Sequence, residues 1–148
     1  TLPEEPVPPG STVLFICTGN SVRSQMAEGF ARYYAGDSIE VESAGTHPIG
    51  INPNTVWAMN EVGIDISHQN SDLLSDKDLG KFSYVITLCG DARDSCPILP
   101  SHVRNEHWPL GDPAKITGDP SDLIGVFRII RYQIEVRVRK FLQQIEGV

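Results

Sequence analysis

The sequence predicts an α/β domain built on a parallel sheet, and three observations carry that expectation. Short apolar or alternating runs take turns with stretches of helical period. Turn-forming residues separate them, and two of the runs end on a cysteine, Cys17 and Cys89. Ligand sites in such sheets lie outside the carboxyl ends of the strands, so residues that follow strands are the first place to look for chemistry.

In chain order, residues 1–11 carry four prolines and two glutamates, a composition that cannot bury itself; they are expected to be a flexible tail outside a single catalytic domain over 12–148. Thr12–Ile16, with the continuous apolar run Val13–Ile16, predicts a buried strand. Ser24 followed by helix formers predicts a helix to about Ala35, with Met26, Phe30 and Tyr33 or Tyr34 as its core-facing residues. Ile39–Ser43 alternates as a half-buried strand closed by Ala44-Gly45. Asn52 or Asn54 is placed to cap a helix that runs to Glu61 or Val62 and ends at Gly63. An acidic helical stretch is expected near Ser71–Leu79. Tyr84–Leu88 is a third strand delivering Cys89, Val103–Trp108 a fourth, and Gly111-Asp112-Pro113 a turn. The last helix is capped by Asp119, with Pro120 in its first turn, and Leu123, Phe127, Ile130, Ile134, Val138, Phe141 and Ile145 recur at steps of three or four. Arg128, Arg131, Arg137 and Arg139 fall between those positions and are expected on a solvated face.

The loop between the first strand and the first helix is the most informative segment. Cys17 and Arg23 are separated by five residues in Cys17-Thr18-Gly19-Asn20-Ser21-Val22-Arg23, immediately before Ser24. Gly19 and Asn20 tolerate positive φ, which lets successive amides of Thr18 to Ser24 converge on an anion beside a helix N-terminus, and Arg23 adds a bidentate fork. The same positive field favours a thiolate at Cys17. Taken singly, a cysteine at a strand end is a small buried hydrophobe and Gly-Asn a turn; the contiguous strand, Cys-x5-Arg and helix point instead to a nucleophile in an oxyanion cradle. Neither a dinucleotide-binding nor a Walker glycine motif occurs.

Composition narrows the function classes. A net charge of −7 argues against nucleic-acid and anionic-membrane partners. The N-terminus lacks the layout of a signal peptide and no apolar stretch reaches membrane-span length, so a cytoplasmic location is expected. Three cysteines cannot close a disulfide framework, and neither they nor the four histidines (His47, His68, His102, His107) have zinc-site spacing. The thiols are therefore expected to do chemistry. For thiolate attack on a tetrahedral anion, the departing oxygen must be protonated, and Asp112, in a turn on the crevice side, is the fitting acid. Phosphate-ester hydrolysis needs one cysteine. A two-electron reduction needs a second thiol to displace the product and a third to move the oxidation outward, and Cys89 and Cys96 flank a polar loop suited to that task.

Cys17 to Gly29, Glu42-Ser43-Ala44-Gly45-Thr46, Thr87-Leu88-Cys89-Gly90-Asp91-Ala92, Cys96-Pro97 and Asp112-Pro113-Ala114 together resemble the thioredoxin-coupled arsenate reductases, which share the low-molecular-weight tyrosine phosphatase fold. The resemblance implies a four-stranded parallel sheet with helices on both faces. It implies that Cys17 attacks arsenate held by Arg23 and the loop amides while Asp112 protonates the leaving hydroxide. Cys89 would then attack Cys17, releasing arsenite, and Cys96 would resolve the disulfide to Cys89–Cys96 for reduction by thioredoxin, with glutaredoxin as the alternative donor. Phosphate and sulfate would bind as analogues, and no cofactor would be tightly bound. Some members hold potassium near the anion loop, at positions matching Asn20, Glu28, Ser43 and Asp72. The chain departs from many relatives in having Val22 where they have cysteine, which removes a competing disulfide partner for Cys17. Two other readings remain open: a low-molecular-weight phosphotyrosine phosphatase, and a redox-sensing or anion-binding module.

Overall fold

The computed structural model describes residues 12–36, 39–88, 101–108 and 120–145, with side chains from 124 to 143 in the last segment. Four strands form its frame: β1 (Thr12–Cys17), β2 (Glu40–Gly45), β3 (Tyr84–Thr87) and β4 (Arg104–His107). They lie in the order β2-β1-β3-β4 and every pairing is parallel. Among the described residues, three helices connect and cover them: α1 (Arg23–Ala35), α2 (Pro53–Asn60) and α3 (Pro120–Ile145). The expected α/β class and parallel sheet are therefore what the chain adopts.

The apolar run of β1 sits at the centre because it has no polar face to show. Val13, Leu14, Phe15 and Ile16 are all fully buried, so both sheet faces are covered at this strand. On one face Phe15 meets Trp108, Trp108 meets Phe141, and Phe141 meets Tyr84 edge-on, which fastens α3 across β1 and β3. Short, exposed β4, with Arg104 and Asn105 facing water, closes the edge.

Several local expectations need correction. α1 begins at Arg23, one residue early, and no side chain caps it; the Ser24 hydroxyl is occupied elsewhere, as described below. It is also not a one-faced helix. Everything from Arg23 to Ala31 is buried, whereas Tyr33 and Tyr34, one of which is expected in the core, are both exposed. The reason is position: the first two turns are sunk beneath the anion loop, whereas the last turn is covered on one face only, at Ala31 and Ala35, with Tyr33 and Tyr34 off that face. β2 runs on through Ala44 and Gly45 rather than stopping before them. The stretch after Ser71 forms two single 3-10 turns, Leu74–Asp76 and Leu79–Lys81, in place of a helix. α2 is capped as expected, Asn52 Oδ1 accepting from the Asn54 amide, and Gly63 supplies the left-handed φ of 81° that follows it.

α3 buries Phe127, Ile130, Ile134, Val138 and Phe141 as its periodicity requires. Arg128, Arg137 and Arg139 are exposed, as expected, and Arg131 is half-buried, but all four have partners. Arg128 and Arg131 grip Glu61 at the end of α2, Arg131 also donates to the Ala58 carbonyl, and the Arg137 and Arg139 guanidinium groups stack over Trp108 and Tyr34. The tail before Thr12 and the cap Asp119 lie outside the described residues.

Candidate active site

Cys17 is the last residue of β1 and pairs in register with Gly45, the last of β2. The loop from Thr18 to Val22 therefore rises from the carboxyl edge of the sheet at its centre, as expected for ligand sites in this architecture. Its shape is fixed by its carbonyls. Thr18 O accepts from the His47 amide at 2.9 Å, Gly19 O from the Ile49 amide at 3.0 Å, and Ser21 O from the Asn52 amide at 3.1 Å and the Thr55 hydroxyl at 3.0 Å. In a planar trans peptide the next N–H points opposite its carbonyl, so the amides of Gly19, Asn20 and Val22 are turned away from these partners. Asn20 O is likewise taken by Gln25 Nε2 at 3.0 Å, which turns the Ser21 amide. Asn20 itself has φ 45°, the left-handed value its residue type tolerates.

The result is a cavity of about 200 Å³ lined by Cys17, Thr18, Gly19, Ser21, Val22, Arg23, His47 and Ile49. Cys17 and Arg23 are both almost fully buried on it, and Arg23 opens α1, whose dipole presents its positive end there. A thiol, a guanidinium and a helix N-terminus thus meet in one space. Five of the seven expected oxyanion-binding positions after Cys17 line the cavity directly, namely Thr18, Gly19, Ser21, Val22 and Arg23. Asn20 and Ser24 lie beneath it and hold the loop.

Ser24 is where the missing cap went. Its Oγ lies 2.9 Å from Cys17 Sγ and 2.7 Å from Asn20 Oδ1, so one hydroxyl joins the thiol to the floor of the loop. Below it sits a buried layer of amides. Gln25 Nε2 donates to Asn20 Oδ1 at 3.0 Å and to Asn70 O at 2.9 Å, and Gln69 Nε2 donates to Gln25 Oε1 at 2.8 Å. Nothing in the sequence singled out Gln25 or Gln69, because a lone glutamine carries no spacing signal. Gly45 was read only as a strand closer, yet a Cβ there would stand 2.6 Å from Thr18 O and 2.9 Å from Asn20 N. His47 and Ile49, both exposed, also border the cavity, and no sequence motif marks either of them.

A second, polar cavity of about 330 Å³ lies nearby, lined by Glu28, Ser43 and Asp72 among others. Glu28 accepts from Ser43 at 2.6 Å and pairs with Arg32 at 2.7 Å, while Asp72 pairs with Lys77 at 2.9 Å. Burial pushes the Glu28 carboxyl above its usual range, against the downward pull of Ser43 and Arg32. Of the four positions matched to a potassium site, Asn20 does not line this cavity; its Oδ1 already accepts from Ser24 and Gln25. Cys89, Cys96 and Asp112 lie outside the described residues.

Residues 12–147 match the model of the low molecular weight phosphotyrosine protein phosphatase family. The chain belongs to this family. Among its relatives is the arsenate reductase of Shouchella clausii, 53% identical over 131 residues that span 88% of this chain and 94% of that one. An arsenate reductase solved in its phosphate-binding state superposes with a TM-score of 0.73 at 36% identity, covering 91% of this chain and 98% of the other. The thioredoxin-dependent arsenate reductase of Corynebacterium glutamicum gives a TM-score of 0.77 at 32% identity, over 93% of this chain and 63% of its own. The resemblance noted from the loop and cysteine motifs is thus shown across nearly the whole chain, which falls among the arsenate reductases of the phosphatase family. Among the described residues, no helix is long and apolar enough to cross a membrane.

Proposed function

We propose that this chain is a thioredoxin-coupled arsenate reductase working in the cytoplasm. The observation that carries the reading is the Cys17 thiol at the wall of an anion-sized cavity with Arg23, the start of α1 and the Ser24 hydroxyl around it. Arsenate would be held by Arg23 and the amides of the Thr18 to Ser24 loop. The Cys17 thiolate forms a sulfur–arsenic bond as one arsenic–oxygen bond breaks, and the departing oxygen leaves as water with a proton from Asp112. Cys89 then attacks Cys17 Sγ. A disulfide forms, the electron pair of the sulfur–arsenic bond stays on arsenic, and arsenite departs. Cys96 transfers the disulfide to Cys89–Cys96, freeing Cys17, and the thioredoxin dithiol reduces it. Val22 keeps the anion loop free of a second thiol.

Potassium is proposed beside this site. The oxygens of Glu28, Ser43 and Asp72 are the donor type a hard cation takes, and a buried carboxylate pushed toward protonation is one a cation would hold ionised. Bound there, it would supply positive charge next to the segment that braces the loop. Asn20 is better assigned to the loop's hydrogen bonds than to the cation.

The deciding experiment follows arsenate-dependent NADPH oxidation with thioredoxin and thioredoxin reductase, and quantifies arsenite. Steady turnover is expected for the parent and none for Cys17→Ser, while Cys96→Ser should release about one arsenite per protein and stop. Phosphomonoester hydrolysis without arsenite would return the assignment to a phosphatase. Turnover with glutaredoxin and glutathione alone would replace the electron donor.

A further inference from the structure

α3 carries a second apolar stripe that the fold does not use. Phe127, Ile130, Ile134, Val138 and Phe141 face the core. On the opposite side, at steps of three and four, stand Ile129, Tyr132 and Val136, which are 59%, 66% and 46% exposed. A turn of about 3.6 residues sets these three in one line pointing away from the sheet. Single exposed hydrophobics are ordinary, but three on one ridge of one helix form a contiguous patch of the kind that marks an interaction surface. None of them lines the Cys17 cavity.

The charges beside the stripe identify what covers it. Arg128 and Glu135 flank it on the same side, two turns apart. Arg128 binds Glu61 through Nε and Nη2, and Glu135 accepts from Tyr34 at Oε2, so Arg128 Nη1 and Glu135 Oε1 take no part in those bonds. The arrangement is symmetric about Tyr132. Ile129 stands three residues before it and Val136 four after; Arg128 stands four before it and Glu135 three after. A stripe with that symmetry is complementary to itself when two such helices run antiparallel, because each residue then meets its counterpart from the other side of the centre.

We propose that the outward face of α3 is the contact between two copies of this chain, paired antiparallel about a two-fold axis at Tyr132. Ile129 of each copy packs against Val136 of the other, the two Tyr132 rings meet at the axis, and Arg128 of each copy lies beside Glu135 of the other. The contact is small. One helix pair covers less than the about 800 Å² per partner of a standard interface, so the dimer is weak and forms with rising concentration.

Sedimentation equilibrium on the full chain, with its thiols kept reduced so that no intermolecular disulfide contributes, tests the pairing. The parent should be monomeric at low micromolar concentration and dimerise with a Kd of roughly tens to hundreds of micromolar. Tyr132→Ser should remain monomeric throughout that range. Arg128→Glu and Glu135→Arg should each weaken association by about tenfold, because each turns both interchain pairs into like charges. An equimolar mixture of those two variants should dimerise at least as tightly as the parent, since in the mixed pair every charge again meets its opposite. That rescue requires folded chains in the antiparallel register. A parent that stays monomeric to about 1 mM overturns the proposal. So does a dimer that Tyr132→Ser leaves intact, or a mixture that associates no more tightly than either variant alone.

Discussion

Adding one methyl group at Gly45 should disable the anion loop from behind. A Cβ there would stand 2.6 Å from Thr18 O, about 0.8 Å inside the 3.4 Å at which ordinary contact begins, and 2.9 Å from Asn20 N. Both neighbours are backbone, so no side chain can swing aside. Nor can β2 retreat, since Gly45 pairs with Cys17 and donates to Asp72 O at 2.9 Å. The loop must therefore move. Overpacking of this kind costs about 1–3 kcal/mol, and a displacement near 1 Å of groups that position a substrate can cost about 10²-fold in rate. Gly45→Ala should accordingly lose about 1–3 kcal/mol in urea unfolding and one to two orders of magnitude in arsenate turnover, with weaker phosphate binding. The matched control is Gly125→Ala in α3, where a Cβ meets nothing within 4 Å. It should gain about 0.5–1 kcal/mol from helix propensity and bind phosphate as the parent does. If Gly45→Ala keeps both its stability within about 0.5 kcal/mol and its phosphate affinity, the close approach does not shape the loop.

Ser24→Ala removes the hydroxyl 2.9 Å from Cys17 Sγ, whose one proton rests on Asn20 Oδ1 and turns to the sulfur when the thiolate forms. A hydrogen bond to a charged group is worth about 1.5–3 kcal/mol, so iodoacetamide should alkylate Cys17 at neutral pH roughly tenfold or more slowly, and an unchanged rate would remove Ser24 from the thiol's support. The Glu61 carboxyl is held at about 2, below its usual 4.5, by the hydrogen bonds of Arg128 and Arg131. A depressed folded value means stability present above about pH 4.5 and lost as pH falls toward 2, so Glu61→Gln should be less stable than the parent near neutrality and the gap should close across that window. A gap independent of pH would contradict the ionic clamp. Potassium chloride at tenfold over its Kd should raise the melting temperature by about 3–5 °C relative to tetramethylammonium chloride, with Glu28→Gln abolishing the difference. An equal response in the two salts would argue against the cation.

Sequence reasoning found what is written in residue order and missed what is written across it. Cys17 to Arg23 was legible because strand, loop and helix are contiguous and each residue type has a reason in its own neighbourhood. The same locality misled at Ser24, where a good capping residue was claimed by Cys17 and Asn20, partners that only the curled loop brings near. Tyr33 or Tyr34 continues the period of Met26 and Phe30, but the last turn of α1 turns Ala31 and Ala35 to the fold instead. The solvated face of α3 was legible from its period, but the partners of its arginines, Glu61, Trp108 and Tyr34, were not, because they come from elsewhere in the chain. Gln25 and Gln69 stand 44 residues apart and meet only in the fold.

The position of β1 in the sheet also sets the order in which the protein can assemble. β1 has neighbours on both sides, and each comes from a later part of the chain: Thr12 aligns with Glu40, and Val13 with Tyr84. No strand pair here can zip up from a tight hairpin, since parallel partners need a crossover between them. The first strand must wait for the third, which places this chain among the slower-folding topologies. The anion loop inherits that delay. Its carbonyls find their partners only after the segments carrying His47, Ile49, Asn52 and Asn70 have closed around it. The oxyanion site should therefore be among the last parts of the protein to acquire native structure during folding.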